Sequence, residues 1–216
     1  MRVRLEGLSA AAIVMDVNSG EILGCTSAPS FDPNLFVQGI SSRDYSTLRD
    51  SEYRPLSDKT VQGAYPPGST IKMSNALAAL ESGAMSPEET VTCNGYVEIA
   101  GRRFHCWKRG GHGRVDMVRA LRESCDVYFY EVAQRIGIDG IFAMNAMLGL
   151  GQKYDLPLSG MAHGNNPSRE WKRKRYGQEW LIGDTINASI GQGYTLASPI
   201  QLATMTTRLA SGKVVV

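Results

Sequence analysis

The stretch Tyr65-Pro66-Pro67-Gly68-Ser69-Thr70-Ile71-Lys72 ends one kind of segment and begins another. Two prolines and a glycine can neither continue a strand nor extend a helix, so the chain must bend there. The run from Thr70 to Glu81 then reads as a helix stopped near Gly83. Ser69 falls at or near its N-terminus, where unpaired backbone N–H groups favour developing negative charge. Residues three apart share a helix face, so the pattern predicts the Lys72 amine beside the Ser69 hydroxyl. A serine next to a lysine that can give up its proton is an activated nucleophile. The bland alternative is chance: serines and lysines are common here, and serine often caps a helix.

Working outward, Ala11–Val17 and Glu21–Ser27 are strand-like runs around Asn18-Ser19-Gly20 and read as a β-hairpin. Cys25, inside the second run, is expected as a small core residue. Phe31-Asp32-Pro33-Asn34 reads as a turn, and the chain to about Lys59 as polar and irregular. Beyond the Ser69 helix, glycines break the pattern from Ser86 to His112, leaving β-like pieces at Tyr96–Ile99 and Arg103-Phe104. Val115–Arg122 is helical, Glu123-Ser124-Cys125-Asp126 interrupts, and Val127–Ile136 resumes with a dense apolar face. A further helix is expected from Gly140 to Leu148, then loops to Glu179 and a glycine-rich turn at Asn187–Tyr194. Ser198-Pro199 opens a last helix running to about Ala210, with serine as cap and proline at the first position. Val214-Val215-Val216 reads as the start of a strand. Strands at both ends around many helices imply an α+β fold, an antiparallel sheet flanked by helices with an all-helical part. The expected organisation is one domain over 1–216, with the hairpin in 1–30 and the helical part with the motifs in 60–210.

At 216 residues, 43% hydrophobic and 20% charged, the composition is that of an ordinary globular chain. A formal net charge of +2 gives no case for nucleic acid. The basic cluster Trp171-Lys172-Arg173-Lys174-Arg175 is expected as a solvated loop rather than a binding patch. No apolar run approaches the roughly 18 residues that span a bilayer, and Met1-Arg2-Val3-Arg4 suits either a true start or a chain that has shed an anchor.

Pro-Pro-Gly-Ser-Thr-Ile-Lys, Ser124-Cys125-Asp126 and Ser189-Ile190-Gly191-Gln192-Gly193-Tyr194, in that order, resemble the penicillin-binding transpeptidases. Within them the similarity is to class B, elongation-type penicillin-binding protein 2 of Gram-negative bacteria. It runs from Ala11 through the last helix and implies the fold shared with serine β-lactamases. The resemblance implies that Ser69 attacks the D-Ala-D-Ala bond of a peptidoglycan stem peptide and that β-lactams acylate the same serine. It makes Lys72 the base, Ser124 a proton relay to the leaving D-Ala, and Asp126 an orienting group. Gly191, Gln192 and Gly193 are implied to bind substrate, and no cofactor is required for the chemistry. The family's third motif, K-T-G on an edge strand, is not in this sequence; Lys59-Thr60-Val61 precedes the nucleophile and lacks the glycine. The expectation is a domain truncated before K-T-G and without its C-terminal strands, with an inactive fragment as the alternative for the isolated piece.

A lysine near its unperturbed pKa of about 10.4 is a poor base at neutral pH, so Lys72 needs desolvation or cationic neighbours. The Ser69 N–H is a natural oxyanion donor, and such donors are worth on the order of 3 kcal/mol each. Cys93, Cys106, His112 and Cys125 form a Cys3His set of the kind that holds structural zinc, with His105 as a reserve ligand. Some relatives are similar in carrying zinc there, with acidic residues at the positions of Cys93 and Cys106. A Cys93–Cys106 disulfide, or three unrelated buried thiols, are the alternatives. The resemblance also implies a location at the periplasmic face of the inner membrane, beside a SEDS-type glycosyltransferase and the elongation complex. A serine β-lactamase and a non-catalytic penicillin-binding sensor or scaffold are the rival functions.

Overall fold

A computed structural model describes Leu5 and residues 7–215. It divides into two compact units, and the last helix belongs with the hairpin rather than with the motif-bearing helices.

One unit comprises the described residues up to Tyr65, Gln152–His163 and the segment from Ser198 onward. Its hairpin pairs β1 (Ala10–Met15) with β2 (Ile22–Ala28), antiparallel, Ala10 facing Ala28 and Ile13 facing Cys25. The turn closes as an Asx-type loop: Asp16 Oδ1 accepts from the backbone N–H groups of Asn18 and Ser19, both at 2.8 Å. Cys25 is exposed rather than a core residue, although its Sγ lies 3.1 Å from the hydroxyl of the buried Thr60. Two short helices, α1 (Asn34–Val37) and α2 (Ser42–Arg49), occupy the stretch expected to be irregular. The Ser41 hydroxyl caps α2 by accepting from the Asp44 N–H at 3.1 Å.

The last helix of the chain, Pro199–Ser211, begins with the predicted cap: Ser198 and Gln201 form a reciprocal capping box. It packs on β1, and Ile200 joins Val61 and Tyr154 in a small core bordered by Ile13 and Ile22. Val214-Val215 forms no strand here, and Val216 lies outside the described residues.

The other unit comprises 66–151 and 164–197. A single 3₁₀ turn, Gly68–Ile71, leads into α3 (Lys72–Glu81), so the predicted helix starts as a tighter coil. Two small antiparallel ribbons follow, β3 (Val91–Cys93) with β6 (Gly113–Val115), and β4 (Tyr96–Ile99) with β5 (Arg102–His105). After α4 (Met117–Arg122) comes the long α5 (Asp126–Met147). Gly137 leaves the helical region inside α5 (φ 65°, ψ 178°), which is where the sequence separates one helix from the next. Tyr128, Phe129, Val132, Ala133, Ile138 and Ile141 of α5 are buried against Ala76 and Ala79 of α3 and against α7 (Ile182–Ser189).

The expected loop to Glu179 holds a further helix, α6 (Arg169–Tyr176), capped by the Ser168 hydroxyl and stopped by left-handed Gly177. The basic cluster is therefore helical. Its Lys172 is buried in an ion pair with Asp184 at 2.6 Å, while its other cations face solvent. We number the Pro199–Ser211 helix α8. No helix among the described residues is long and apolar enough to cross a membrane.

Candidate active site

The site lies wholly in the second unit, around a cavity of about 710 Å³ lined by Ser69, Ser124, Asp126, Trp107 and Gln192 among others. Ser69 is exposed on the 3₁₀ turn that the Pro-Pro-Gly bend creates, while Lys72 begins α3 and is 2% exposed. Ser124 stands between them. Its hydroxyl is 2.9 Å from Ser69 Oγ, and Lys72 Nζ donates to that same hydroxyl at 3.0 Å. Spacing predicts Lys72 directly beside Ser69; the structure instead supplies a chain in which Ser124 is the middle member.

Lys72 has two more acceptors, the Ser124 carbonyl at 3.0 Å and Asp126 Oδ1 at 2.6 Å, and its charge lies 5.7 Å from the centre of the Phe129 ring. The desolvation asked of Lys72 is present. The charged neighbour is a carboxylate, however, not a cation. The second carboxylate oxygen of Asp126 accepts from the Trp107 backbone N–H at 2.9 Å, so both oxygens are engaged by the protein. Ser124 adopts a left-handed backbone (φ 53°), costly for a residue with a side chain. Cys125 and Asp126, which open α5, and the hydrogen bonds that Ser124 makes with Lys72, Trp107 and Ser69 hold it there.

The glycine-rich turn reaches the Ser69 turn through its backbone. Gly68 N–H donates to the Gly191 carbonyl at 3.0 Å, and a Cβ on Gly191 (φ 67°) would collide with the Gly68 backbone. Gln192 lines the cavity, whereas Gly193 packs against Asn187. Side chains of α3 and α6 fix this turn from behind. Asn75 donates to the Ser189 carbonyl at 2.7 Å, and the Tyr194 ring is boxed by Trp171 at 5.2 Å and Tyr176 at 5.4 Å, with Lys172 Nζ 5.7 Å away.

Behind Ser124, the loops bring Cys93, Cys106, His112 and Cys125 together, all buried, with their donor atoms within 4.8 Å of one another. His112 Nδ1 is 3.6 Å from Cys93 Sγ and 3.5 Å from Cys106 Sγ. Tetrahedral zinc with bonds of about 2.3 Å to sulfur and about 2.0–2.1 Å to nitrogen spans N···S edges of about 3.5 Å, so the donor set fits such an ion. Burial pushes the Cys106 thiol up and the Cys125 thiol up to about 12, the environment in which a dication stabilises thiolates. Gly111, before His112, leaves no room for a Cβ against the Cys93 carbonyl. All four cysteines are free thiols, with no Cys93–Cys106 bond. His105 is exposed at the cavity that Ser69 and Ser124 line, its ring 6.0 Å from that of Tyr96, and is not among the four clustered donors.

The penicillin binding protein transpeptidase domain family matches residues 10–216. The chain belongs to that family. It is 43% identical to the peptidoglycan D,D-transpeptidase MrdA of Escherichia coli K12 over 201 residues, 92% of this chain and 32% of the relative. With the MrdA of Haemophilus influenzae it shares 43% over 213 residues, 97% of this chain and 33% of that one. Among solved structures it is similar to Pseudomonas aeruginosa PBP2 in complex with WCK 5153, at TM-score 0.92 and 44% identity, covering 96% of this chain and 48% of that one. The Helicobacter pylori PBP2 structure aligns at TM-score 0.94 and 36% identity, covering 99% of this chain and 41% of that one. The chain thus spans about a third of the length of these curated relatives. Its architecture is the penicillin-binding-protein transpeptidase fold. Within that fold, sequence reasoning passed over Trp107, Asn75 and the Lys172–Asp184 pair. The one local signal for Trp107 is its place directly after Cys106, an aromatic in an otherwise charged, glycine-rich segment.

Proposed function

We propose that this domain performs serine D,D-transpeptidation on peptidoglycan stem peptides. The observation that carries the reading is the continuous hydrogen-bonded chain Ser69–Ser124–Lys72 opening onto a cavity. In the order seen, Lys72 donates to Ser124. Acylation runs the same three atoms the other way: the Ser69 proton passes to Ser124, and the Ser124 proton to a neutral Lys72 amine. Ser69 Oγ bonds to the carbonyl carbon of the penultimate D-Ala. The C–N bond breaks, and the departing D-Ala amine takes its proton back through Ser124. The amine of a second stem peptide then attacks the ester, forming the cross-link and restoring the Ser69 hydroxyl. In a β-lactam the broken C–N bond lies in the ring, so the leaving amine stays tethered and the ester persists. Asp126 keeps Lys72 aimed at Ser124, and Gln192 is placed to meet the substrate backbone.

Cys93, Cys106, His112 and Cys125 hold a structural zinc in this reading. Bound there, such an ion would tie the end of β3 and the β5–β6 connection to the start of α5 and would take no part in the reaction. A D,D-transpeptidase of this kind works at the periplasmic face of the inner membrane within the cell-elongation machinery. In support, Helicobacter pylori PBP2 is known in complex with MreC, and a structural neighbour comes from a peptidoglycan synthase complex that coordinates polymerization and crosslinking.

The test is covalent labelling of the full-length protein with a fluorescent penicillin, read by intact mass. The wild type gains one penicilloyl group that survives for minutes to hours, and Ser69→Ala gains none. Turnover of the label within milliseconds would make the enzyme a β-lactamase, and labelling of Ser69→Ala would remove Ser69 as the nucleophile.

A further inference from the structure

Trp107 belongs to the cavity but has no part in the proton relay. Its side chain is 65% exposed beside Ser69 and Ser124, in the cavity they share. An exposed tryptophan on a loop is ordinarily held loosely. This one is fixed from behind. Its backbone N–H donates to Asp126, its indole Nε1–H reaches the Glu123 and Ser124 carbonyls at 3.1 Å each, and His112 packs edge-to-face at 5.4 Å. The indole has one polar group, a donor, and that group is already engaged by the protein. The surface it leaves bare offers only carbon.

The two carbonyls that orient the ring belong to the segment that also places the Ser124 hydroxyl. The ring plane is therefore set relative to the nucleophile by the same few peptides. A large apolar surface kept rigid beside a nucleophile loses little entropy when a ligand covers it, and the covered area contributes in proportion to its size.

We propose that Trp107 is a specificity-determining residue. Its bare ring is the wall against which an apolar side chain of the acyl donor packs, next to the carbonyl that Ser69 attacks. The ligand chemistry it selects is aromatic or methylene-rich, since the ring's single hydrogen-bonding group is already engaged by the protein and what remains is apolar area. This inference rests on the acylation reading above.

The test compares two penicillins with one reactive ring: benzylpenicillin and 6-acetamidopenicillanate, which keeps the side-chain amide and lacks the phenyl. Second-order acylation rate constants are measured for both on the full-length protein, and their ratio is the readout. A reduced folded fraction or a damaged relay scales both rates together and cancels in the ratio. The wild type prefers benzylpenicillin. Trp107→Ala lowers that preference by roughly tenfold, the size of discrimination an apolar contact supplies. Trp107→Phe, a smaller ring without the Nε1 anchor, lowers it by about threefold, and it decides the matter should the alanine variant not fold. A ratio equal to that of the wild type in either folded variant overturns the assignment to Trp107. A wild-type protein acylated by neither compound overturns the acylation reading and this inference with it.

Discussion

At the scale of single residues, the site is a short list of side chains with one job each. Ser124 is the middle of the proposed relay, so Ser124→Ala is expected to lower acylation by about 10²–10⁴-fold, the usual worth of a positioned proton shuttle. The variant loses only about 1 kcal/mol of stability, because Lys72 and Trp107 still bond the carbonyl of residue 124 and Lys72 keeps Asp126; a fluorescent-penicillin time course beside a thermal melt checks both halves. Lys72→Ala does more damage. It removes the proposed base and leaves Asp126 without the cation that neutralises it in a largely buried place, at a cost of about 3–5 kcal/mol. Denaturant titration measures that loss, and replacing Asp126 by Asn in the same protein recovers part of it. Gly191→Ala strains a left-handed turn and drives a methyl group into the Gly68 backbone. Acylation falls by at least tenfold in that variant, while Gly68→Ala, with open space at the same kind of backbone (φ 58°), loses less.

Elements place those residues through two supports that lie behind the cavity. The first is the Cys93, Cys106, His112 and Cys125 cluster, whose last member separates Ser124 from Asp126. Protein purified without chelator contains about one equivalent of zinc by elemental analysis, and chelation lowers both melting temperature and acylation rate. Metal-free protein with a full melting temperature and an unchanged acylation rate would remove the zinc from the reading. The second support is α6, where the buried Lys172–Asp184 pair and the aromatics around Tyr194 back the glycine-rich turn. Lys172→Ala strands the Asp184 carboxylate and costs about 3–5 kcal/mol, whereas Lys172→Met with Asp184→Leu costs much less, because no charge is left unpaired. The two denaturation midpoints decide between these outcomes.

At the scale of the whole molecule, the two units differ in how they are built. The motif-bearing unit has an extensive core along α3, α5 and α7, while the hairpin unit gathers a few side chains around Val61, Tyr154 and Ile200. In hydrogen exchange, amides of α3 and α5 are the last to exchange, and those of β1 and β2 exchange well before them. Equal protection in the two would contradict that difference in burial. Much of this was legible in the chain. The hairpin, the Ser198-capped last helix and the bend before Ser69 each rest on neighbouring residues, since turn chemistry, capping and periodicity act over a few positions. Helix α6 was not legible, because its face is mostly charged and the packing that keeps it folded involves Tyr194 and Asp184, far along the sequence. The sequence by itself determined which side chains are available: a serine at a forced bend, a lysine three residues on, Ser-Cys-Asp, and a thiol and imidazole set with the right softness for zinc. Only the tertiary structure decided that Ser124 stands between Ser69 and Lys72, that Asp126 is Lys72's partner, and that Trp107 faces the cavity. The physical reason is range. Residue chemistry and local backbone preference are properties of adjacent positions, whereas a 3 Å contact across 52 residues depends on how the whole core packs.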